Sequence, residues 1–318
     1  MIKVNAGYEI LNIKDPVKKV ERVARVCYKS EDKITDGSAE RMVKALIKRK
    51  HTAMVEHASL TVRVSDFIYR YIKNAISWLE DHDGFKSYLR FSHIDKYVIS
   101  GNMRAWRDVI TEFIQNGIAL PTDLECVLLL HRPIFFEDMR DSWLTVKVQD
   151  GIHVEAIDPS TLTVAERKIH EELTVLFTVD RGVSHEMVRH RPCSFAQEST
   201  RYCNYGKTGG VAYVIPCYYE PYSVEMLDWE MFCCENEREY LARIEAGDTP
   251  QEARGRLSHH VKTEVVMTAT LGEWIHFFKL RALGVTGAPH PQIAEVAIPL
   301  CEEMRRNIPT VFGELEGC

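Results

Sequence analysis

What this chain lacks narrows it quickly. It has no Cys-x-x-Cys spacing, and its nine cysteines (Cys27, Cys126, Cys193, Cys203, Cys217, Cys233, Cys234, Cys301 and Cys318) are scattered and odd in number. Neither a structural zinc site nor a disulfide framework is supported, and mostly reduced thiols in small apolar positions are expected. The histidines lack ligand spacing, so no metal is expected. No uncharged apolar run reaches membrane-spanning length and no apolar signal core follows Met1-Ile-Lys-Val-Asn5, so a soluble, cytoplasmic protein is expected. Positive charge is also short: 40 Lys+Arg against 46 Asp+Glu leave a net charge of -6, which argues against a general nucleic-acid coat or a polybasic membrane binder. Any anion must be met locally. The segment from about 68 to 160 also lacks an internal period or low-complexity tract.

What is present is a 318-residue chain, 45% hydrophobic, long enough for one large domain or two ordinary ones. Asp15-Pro16 opens a helix with Val17, Val20, Val23 and Cys27 on one face, and a second starts at Ser38 with Met42 and Leu46 turned inward. Ser59–Ser65 alternates as a half-buried strand. From about 68 to 160 the sequence turns aromatic and charged and reads as mainly helical. Thr163-x-x-Glu166 is a capping box, and Leu173–Val179 a buried strand ended by Asp180-Arg-Gly182. A short helix from Val183, a strand at Val211–Pro216, a long helix from Ser223 to Ala246 closed by Gly247, and a capped start at Thr249-Pro-Gln-Glu252 follow. Thr263, Val265, Met267 and Ala269 alternate as a strand. Thr270-x-x-Glu273 opens a helix with Trp274, Phe277, Phe278 and Arg281 on one face, and Pro299 predicts a kink or break in the last helix. Polar alternate positions in the strands favour an α+β fold, its sheet having one exposed or shared face.

The densest chemistry lies in Arg189-His-Arg-Pro-Cys-Ser-Phe-Ala-Gln-Glu-Ser-Thr-Arg-Tyr202. Guanidiniums grip phosphate bidentately and hydroxyls complete its shell, so Arg189, Arg191 and Arg201 point to a phosphate-bearing ligand. A structural ion-pair cluster is the alternative.

The pattern Arg-His-Arg-x-x-Ser-x-x-Gln-x-Ser-x-Arg-Tyr resembles the signature of the flavin-dependent thymidylate synthases. His51-x-x-x-x-Glu56-His57, Ala253-Arg254 with Leu257, and Trp274-x-His276-Phe-x-x-Leu-Arg281 resemble that family's other elements, in the same order. The resemblance implies a mainly antiparallel sheet flanked by helices, as one catalytic domain of residues 1–67 and 161–318 interrupted by a largely helical insertion, 68–160. It implies conversion of dUMP to dTMP with methylenetetrahydrofolate as carbon donor and a tightly bound FAD that NADPH reduces. A homotetramer with shared active sites is implied too, with neither nucleic acid nor membrane as partner. The cysteines become bystanders, because the family uses no protein nucleophile.

By the same resemblance, Arg189, His190 and Arg191 contact FAD, with Arg189 also near dUMP. Gln197, Ser199, Arg201 and Arg254 bind the dUMP phosphate and sugar, and Arg281 favours ionisation at uracil N3, making C5 nucleophilic. His276 is placed at the flavin, with a satisfied core histidine as the alternative; five residues from Arg281, it points roughly 140° away on an ideal helix, so the two are not expected to serve one ligand group. His51 and Glu56 are placed at the flavin, unless Glu56-His57 is simply a turn feeding the strand. Departures from the family pattern are Ala53 for Ser or Thr, Glu186 for the Gln that meets dUMP, Ala196 for Asn, Gln197 for Glu, and Thr270-Leu-Gly272 for an Asn-x-Arg that touches FAD. Within the insertion, Asn102-Met-Arg104-Ala-Trp106 echoes the missing element, so Asn102 and Arg104 are candidates for a nucleotide or flavin site, or else a helix cap with solvated arginines. Two other functions stay open. A flavin-dependent dUMP hydroxymethylase would use the same residues, and a non-catalytic nucleotide or nucleic-acid binder would keep the arginines without needing the Arg281 helix.

Overall fold

The computed structural model describes residues 1–148 and 154–317. In chain order the elements begin β1 (Ile2–Val4), β2 (Gly7–Ile10), α1 (Pro16–Tyr28), α2 (Ser38–Lys48), β3 (Ser59–Val64), α3 (Asp66–Asp83), β4 (Arg90–Ser92) and β5 (Tyr97–Asn102). They continue with α4 (Met103–Gln115), β6 (Leu120–Pro121), α5 (Thr122–His131), β7 (Thr145–Val146), β8 (Glu155–Ala156), α6 (Val164–His170) and β9 (Glu172–Asp180). The remainder is α7 (Arg181–Met187), β10 (Ser194–Gln197), β11 (Ala212–Val214), α8 (Val224–Glu245), α9 (Pro250–Ala253), β12 (Lys262–Thr270), α10 (Leu271–Arg281), α11 (Pro291–Asn307) and α12 (Pro309–Phe312). Two compact units result: Met1–Asn12 with Val23–Asp32 and Leu173–Cys318, and Ile13–Arg22 with Lys33–Glu172.

In the first unit a four-stranded sheet runs β10-β12-β9-β2. Both edge pairings are antiparallel, Ser194 facing Thr268 and Gly7 facing Thr178. The central strands meet as Thr174 with Thr268 at one end and Arg181 with Val261 at the other, so they too run antiparallel. Helices α7, α10, α11 and α12 pack on this sheet through Phe177, Trp274, Phe277, Phe278, Val296 and Phe312, all at most 1% exposed. A second cluster joins β11 and α8 through Tyr213, Trp229 and Tyr240, and β1 pairs with β11 in parallel.

In the second unit the sheet runs β4-β5-β3-β8, antiparallel throughout. Helix α4 seals it: Trp106 is 1% exposed and its indole donates to Leu60 O at 3.2 Å. Behind the sheet lies a sealed polar chain in which His170 Nδ1 meets Ser100 Oγ at 2.7 Å and its Nε2 meets Ser92 Oγ at 2.8 Å.

Local capping chemistry forms where the sequence places it. Asp15 receives Val17 N at 2.8 Å at the start of α1, and the capping boxes at Thr163/Glu166 and Thr249/Glu252 are both complete. Gly247 closes α8 at φ 100°, which only glycine adopts without strain.

Three expectations change. The first unit's central strands have no exposed face: Thr263 and Thr268 are at most 3% exposed. Their hydroxyls meet Gln197 at 3.2 Å and Thr174 at 2.8 Å, and a buried, paired threonine looks in sequence like a wet one. The break expected at Pro299 does not occur: α11 continues through it, with Val296, Leu300 and Met304 buried on either side. The segment 68–160 has helices α3, α4 and α5, yet it also supplies β4, β5 and β8 to the sheet built around β3. Among the described residues seven cysteines are outside any disulfide and Cys301 is disulfide-bonded; Cys318 lies outside the described residues. Among the described residues no helix is long and apolar enough to cross a membrane.

Candidate active site

Two helices of the first unit converge because the ends of β9 and β12 are firmly capped. Asp180 accepts Val183 N at 2.6 Å and starts α7, which carries Glu186. Thr270 accepts Glu273 N at 3.3 Å and starts α10. Burial of Trp274, Phe277 and Phe278 then fixes the rotation of α10 and so the direction in which Arg281 leaves its last turn.

Arg281 is gripped at three points. Its Nη1 donates to Glu186 Oε2 at 2.7 Å, its Nη2 to the Glu186 carbonyl at 3.4 Å, and its Nε to His190 Nε2 at 3.3 Å. A guanidinium N–H can only donate, so His190 accepts at Nε2 and carries its own proton on Nδ1. His190 is 5% exposed; burial, with Arg281 and His276 beside it, pushes its pKa down to about 4, so the ring is neutral at neutral pH. Its ring also packs edge-on to Phe277 at 5.1 Å and to His276 at 5.9 Å. Glu186 and Arg281 open onto a cleft of about 490 Å³ whose remaining wall is Leu280 and the loop Thr286–His290.

His276 is exposed, which removes the core-histidine alternative. It leaves α10 on a different side from Arg281, and His190 is the neighbour the two share, at 5.9 Å between ring centroids and 3.3 Å from Arg281 Nε. Arg189, Arg191, Arg201 and Arg254 are all exposed. None of the four has a carboxylate partner among the described residues; Arg201 lies over the Tyr202 ring at 5.2 Å. The ion-pair alternative therefore fails for Arg189, Arg191 and Arg201, whereas Arg281 is paired with Glu186. Ser199 Oγ accepts Arg201 N at 3.3 Å, and Gln197 Nε2 donates to Ser184 Oγ at 2.9 Å and Thr263 Oγ1 at 3.2 Å. Cys193 and Cys203, inside the signature, have thiols that burial pushes up, to about 12 and about 11; neither is a ready nucleophile.

In the second unit, His51 is exposed at the start of a short 3-10 turn, Thr52–His57, and Ala58 leads from that turn into β3. Glu56 on the turn accepts Arg104 Nη1 at 2.7 Å, and Arg104 also faces Asp108 at 3.5 Å. Asn102 caps α4, its Oδ1 accepting Ala105 N at 2.8 Å. The Glu56–Arg104 contact joins two residues singled out separately in the sequence.

The sequence reading missed the loop Thr286–His290, whose signal was the run Gly284, Gly287, Pro289, Pro291 directly after the Arg281 helix. It also missed a buried ion network next to the signature. Glu198, 2% exposed, receives Lys262 at 2.8 Å and Tyr205 at 2.9 Å, while Glu264 receives Lys262 at 2.9 Å and Lys29 at 2.7 Å. This network anchors the chain on either side of Ser199 and Arg201.

The first unit thus carries a fixed guanidinium beside a carboxylate on an open cleft, and separately four exposed arginines without carboxylate partners among the described residues, chemistry suited to polar, anionic ligands. Comparison with known proteins gives the lineage. Residues 9–76 and 163–310 match the thymidylate synthase complementing protein family, and the chain belongs to it. Flavin-dependent thymidylate synthases of Pyrococcus horikoshii and Thermococcus kodakarensis are 31% and 30% identical over 158 residues. That of Geobacter sulfurreducens is 25% identical over 171 residues. The first two alignments each take in 48% of this chain and 64% or 63% of the relative, so the chain spans under two thirds of those relatives' length. The crystal structure of a UMP/dUMP methylase from Streptomyces cacaoi bound with 5-Br dUMP covers 98% of this chain and 96% of its own. Its TM-score of 0.43 and 13% identity are too low to bear on fold or function.

Proposed function

We propose that the protein is a flavin-dependent thymidylate synthase converting dUMP to dTMP, with methylenetetrahydrofolate as carbon donor and NADPH as reductant. The observation that carries this reading is the Arg281 guanidinium, fixed by Glu186 and a neutral His190 on the wall of an open cleft. Arg281 lies beside uracil N3 and its carbonyls, where a preorganised positive charge stabilises the anionic form of the ring and makes C5 electron-rich enough to attack the one-carbon unit. Arg189, Gln197, Ser199, Arg201 and Arg254 bind the phosphate and sugar, with Glu186 at the base. The exposed, unpaired arginines suit both this phosphate and a flavin dinucleotide's pyrophosphate.

The donor set therefore fits FAD, with Arg189, His190, Arg191 and His276 as its residues in the first unit. In the second unit His51 and Glu56 serve the flavin, with Asn102 and Arg104 of the insertion 68–160 behind them. The flavin, when bound, supplies the electron pair that reduces the transferred carbon. The catalytic domain of residues 1–67 and 161–318 acts in the cytoplasm as a homotetramer with shared active sites. Purified protein reconstituted with FAD should be yellow and bleach with NADPH; a colourless protein that cannot take up FAD contradicts the reading.

A further inference from the structure

We propose that the cleft formed by α1, α2 and the turn after α5 is a separate ligand site that takes a small monocarboxylate with an apolar body. It lies wholly within the second unit and does not depend on the dUMP reading.

The local sequence puts a cation here. Pro133 disfavours a helical residue before it, so α5 ends at His131 and Arg132 leaves the helix at φ -140°, ψ 42°. The Arg132 side chain then folds against the start of β3. Its Nε and Nη2 donate to Ser59 O at 3.2 and 3.0 Å, and its Nη1 donates to His131 O at 2.7 Å. Three of five N–H groups are thereby used and the guanidinium is fixed, with one N–H left on each terminal nitrogen.

Carbonyls hold this group but do not balance its charge. Among the described residues no carboxylate pairs with it. Asp15, whose field reaches it, is engaged by Val17 N and Lys18 N at 2.8 and 3.3 Å. Arg132 is half-buried, and that burial pulls its pKa below the ordinary arginine value despite Asp15. A fixed, partly desolvated cation with two unused donors is stabilised by an anion entering the cleft, and the two oxygens of a carboxylate match the two donors.

The rest of the wall selects among anions. Val17, Pro133 and Ile134 line the cleft with apolar surface, and its volume is about 190 Å³. That is below the roughly 300–1,000 Å³ of sites for drug-sized ligands, so it suits a body of amino-acid size rather than a nucleotide. Charge then decides against phosphate. Arg132 and Lys44 share the lining with Glu40 and Glu137, and Lys44 meets Glu137 at 3.6 Å. No surplus cation remains for a second negative charge, and a dianion would face both glutamates.

The test is equilibrium dialysis of radiolabelled hexanoate against the purified full chain, with 1-hexanol and inorganic phosphate as competitors. Hexanoate should bind saturably at one site per chain. Hexanol, which keeps the chain and loses the charge, should compete roughly 10- to 100-fold more weakly than unlabelled hexanoate, and Arg132→Gln should weaken hexanoate by a similar factor. Arg132 also ties β3, so Val17→Trp provides a second variant: it fills the cleft and leaves every Arg132 bond in place, and it should lose binding as well. Absence of saturable binding overturns the proposal, as does hexanol competing equally or wild-type affinity in a folded variant. Phosphate that displaces hexanoate as well as hexanoate itself does overturns the monocarboxylate assignment.

Discussion

Two carboxylate–guanidinium pairs in this molecule have the same contact distance and different surroundings. Glu186–Arg281 and Glu56–Arg104 both close at 2.7 Å. Behind the first stands a buried neutral histidine, and in front of it an open cleft. The second sits at the surface, its arginine 45% exposed and shared with Asp108. A fixed, partly desolvated pair can act on a ligand because its donors do not reorganise, whereas an exposed pair is screened and contributes little. The surroundings, not the ion pair, distinguish a site from a strut that ties α4 of the insertion to the His51–Glu56 turn.

The largest test of that contrast is Arg281→Ala. Losing a preorganised charge at the reacting ring should reduce turnover by about 10²–10³ while FAD stays bound, as read by single-turnover kinetics and flavin absorbance. Unchanged turnover would remove Arg281 from its central role.

Next comes acid stability, which compares the site's histidine with the sealed one. His190 and His170, 5% and 1% exposed, both have pKa values pushed down to about 4 from an ordinary 6.5. For His170 the first cause is burial, with the Arg90 charge adding to it. The unfolded chain therefore binds protons more readily than the native one between these values. Stability is complete above about pH 6.5 and falls as the pH drops toward 4, by on the order of 3 kcal/mol for each ring. Urea unfolding at neutral pH and at pH 4.5 measures the loss, and a His170→Asn variant that folds should show a shallower slope.

A smaller effect is expected from Arg254→Ala or Arg201→Ala. Each removes one charge-assisted contact and should raise the dUMP dissociation constant by roughly 10- to 100-fold. The smallest comes from Arg104→Ala, which should cost less than about 1 kcal/mol of stability but weaken FAD binding. Wild-type affinity for FAD and dUMP in that variant would remove Asn102 and Arg104 from the proposal.

Features governed by neighbours in the chain were legible in the sequence. The Thr163/Glu166 and Thr249/Glu252 boxes, the Asp15 cap and the Gly247 stop depend on residues a few positions apart, and all formed. What was not legible depends on partners far away in sequence. Thr263 and Thr268 read as wet positions because their hydroxyl partners, Gln197 and Thr174, lie on other strands. Strand β5 was hidden in an aromatic, charged stretch because its fit to β3 is decided across the sheet. A helical wheel sets His276 and Arg281 on different sides of α10, yet it could not foresee that His190, from the loop after α7, would contact both. The arginine motif was readable as a motif; which arginine is fixed and which are left open was not.

The most direct test of the central claim is the mass of the nucleotide formed when the FAD-loaded protein is given dUMP, methylenetetrahydrofolate and NADPH. The account predicts the mass of dTMP, formed in proportion to NADPH consumed. Unaltered dUMP, or a hydroxymethylated nucleotide formed without net NADPH consumption, would contradict it.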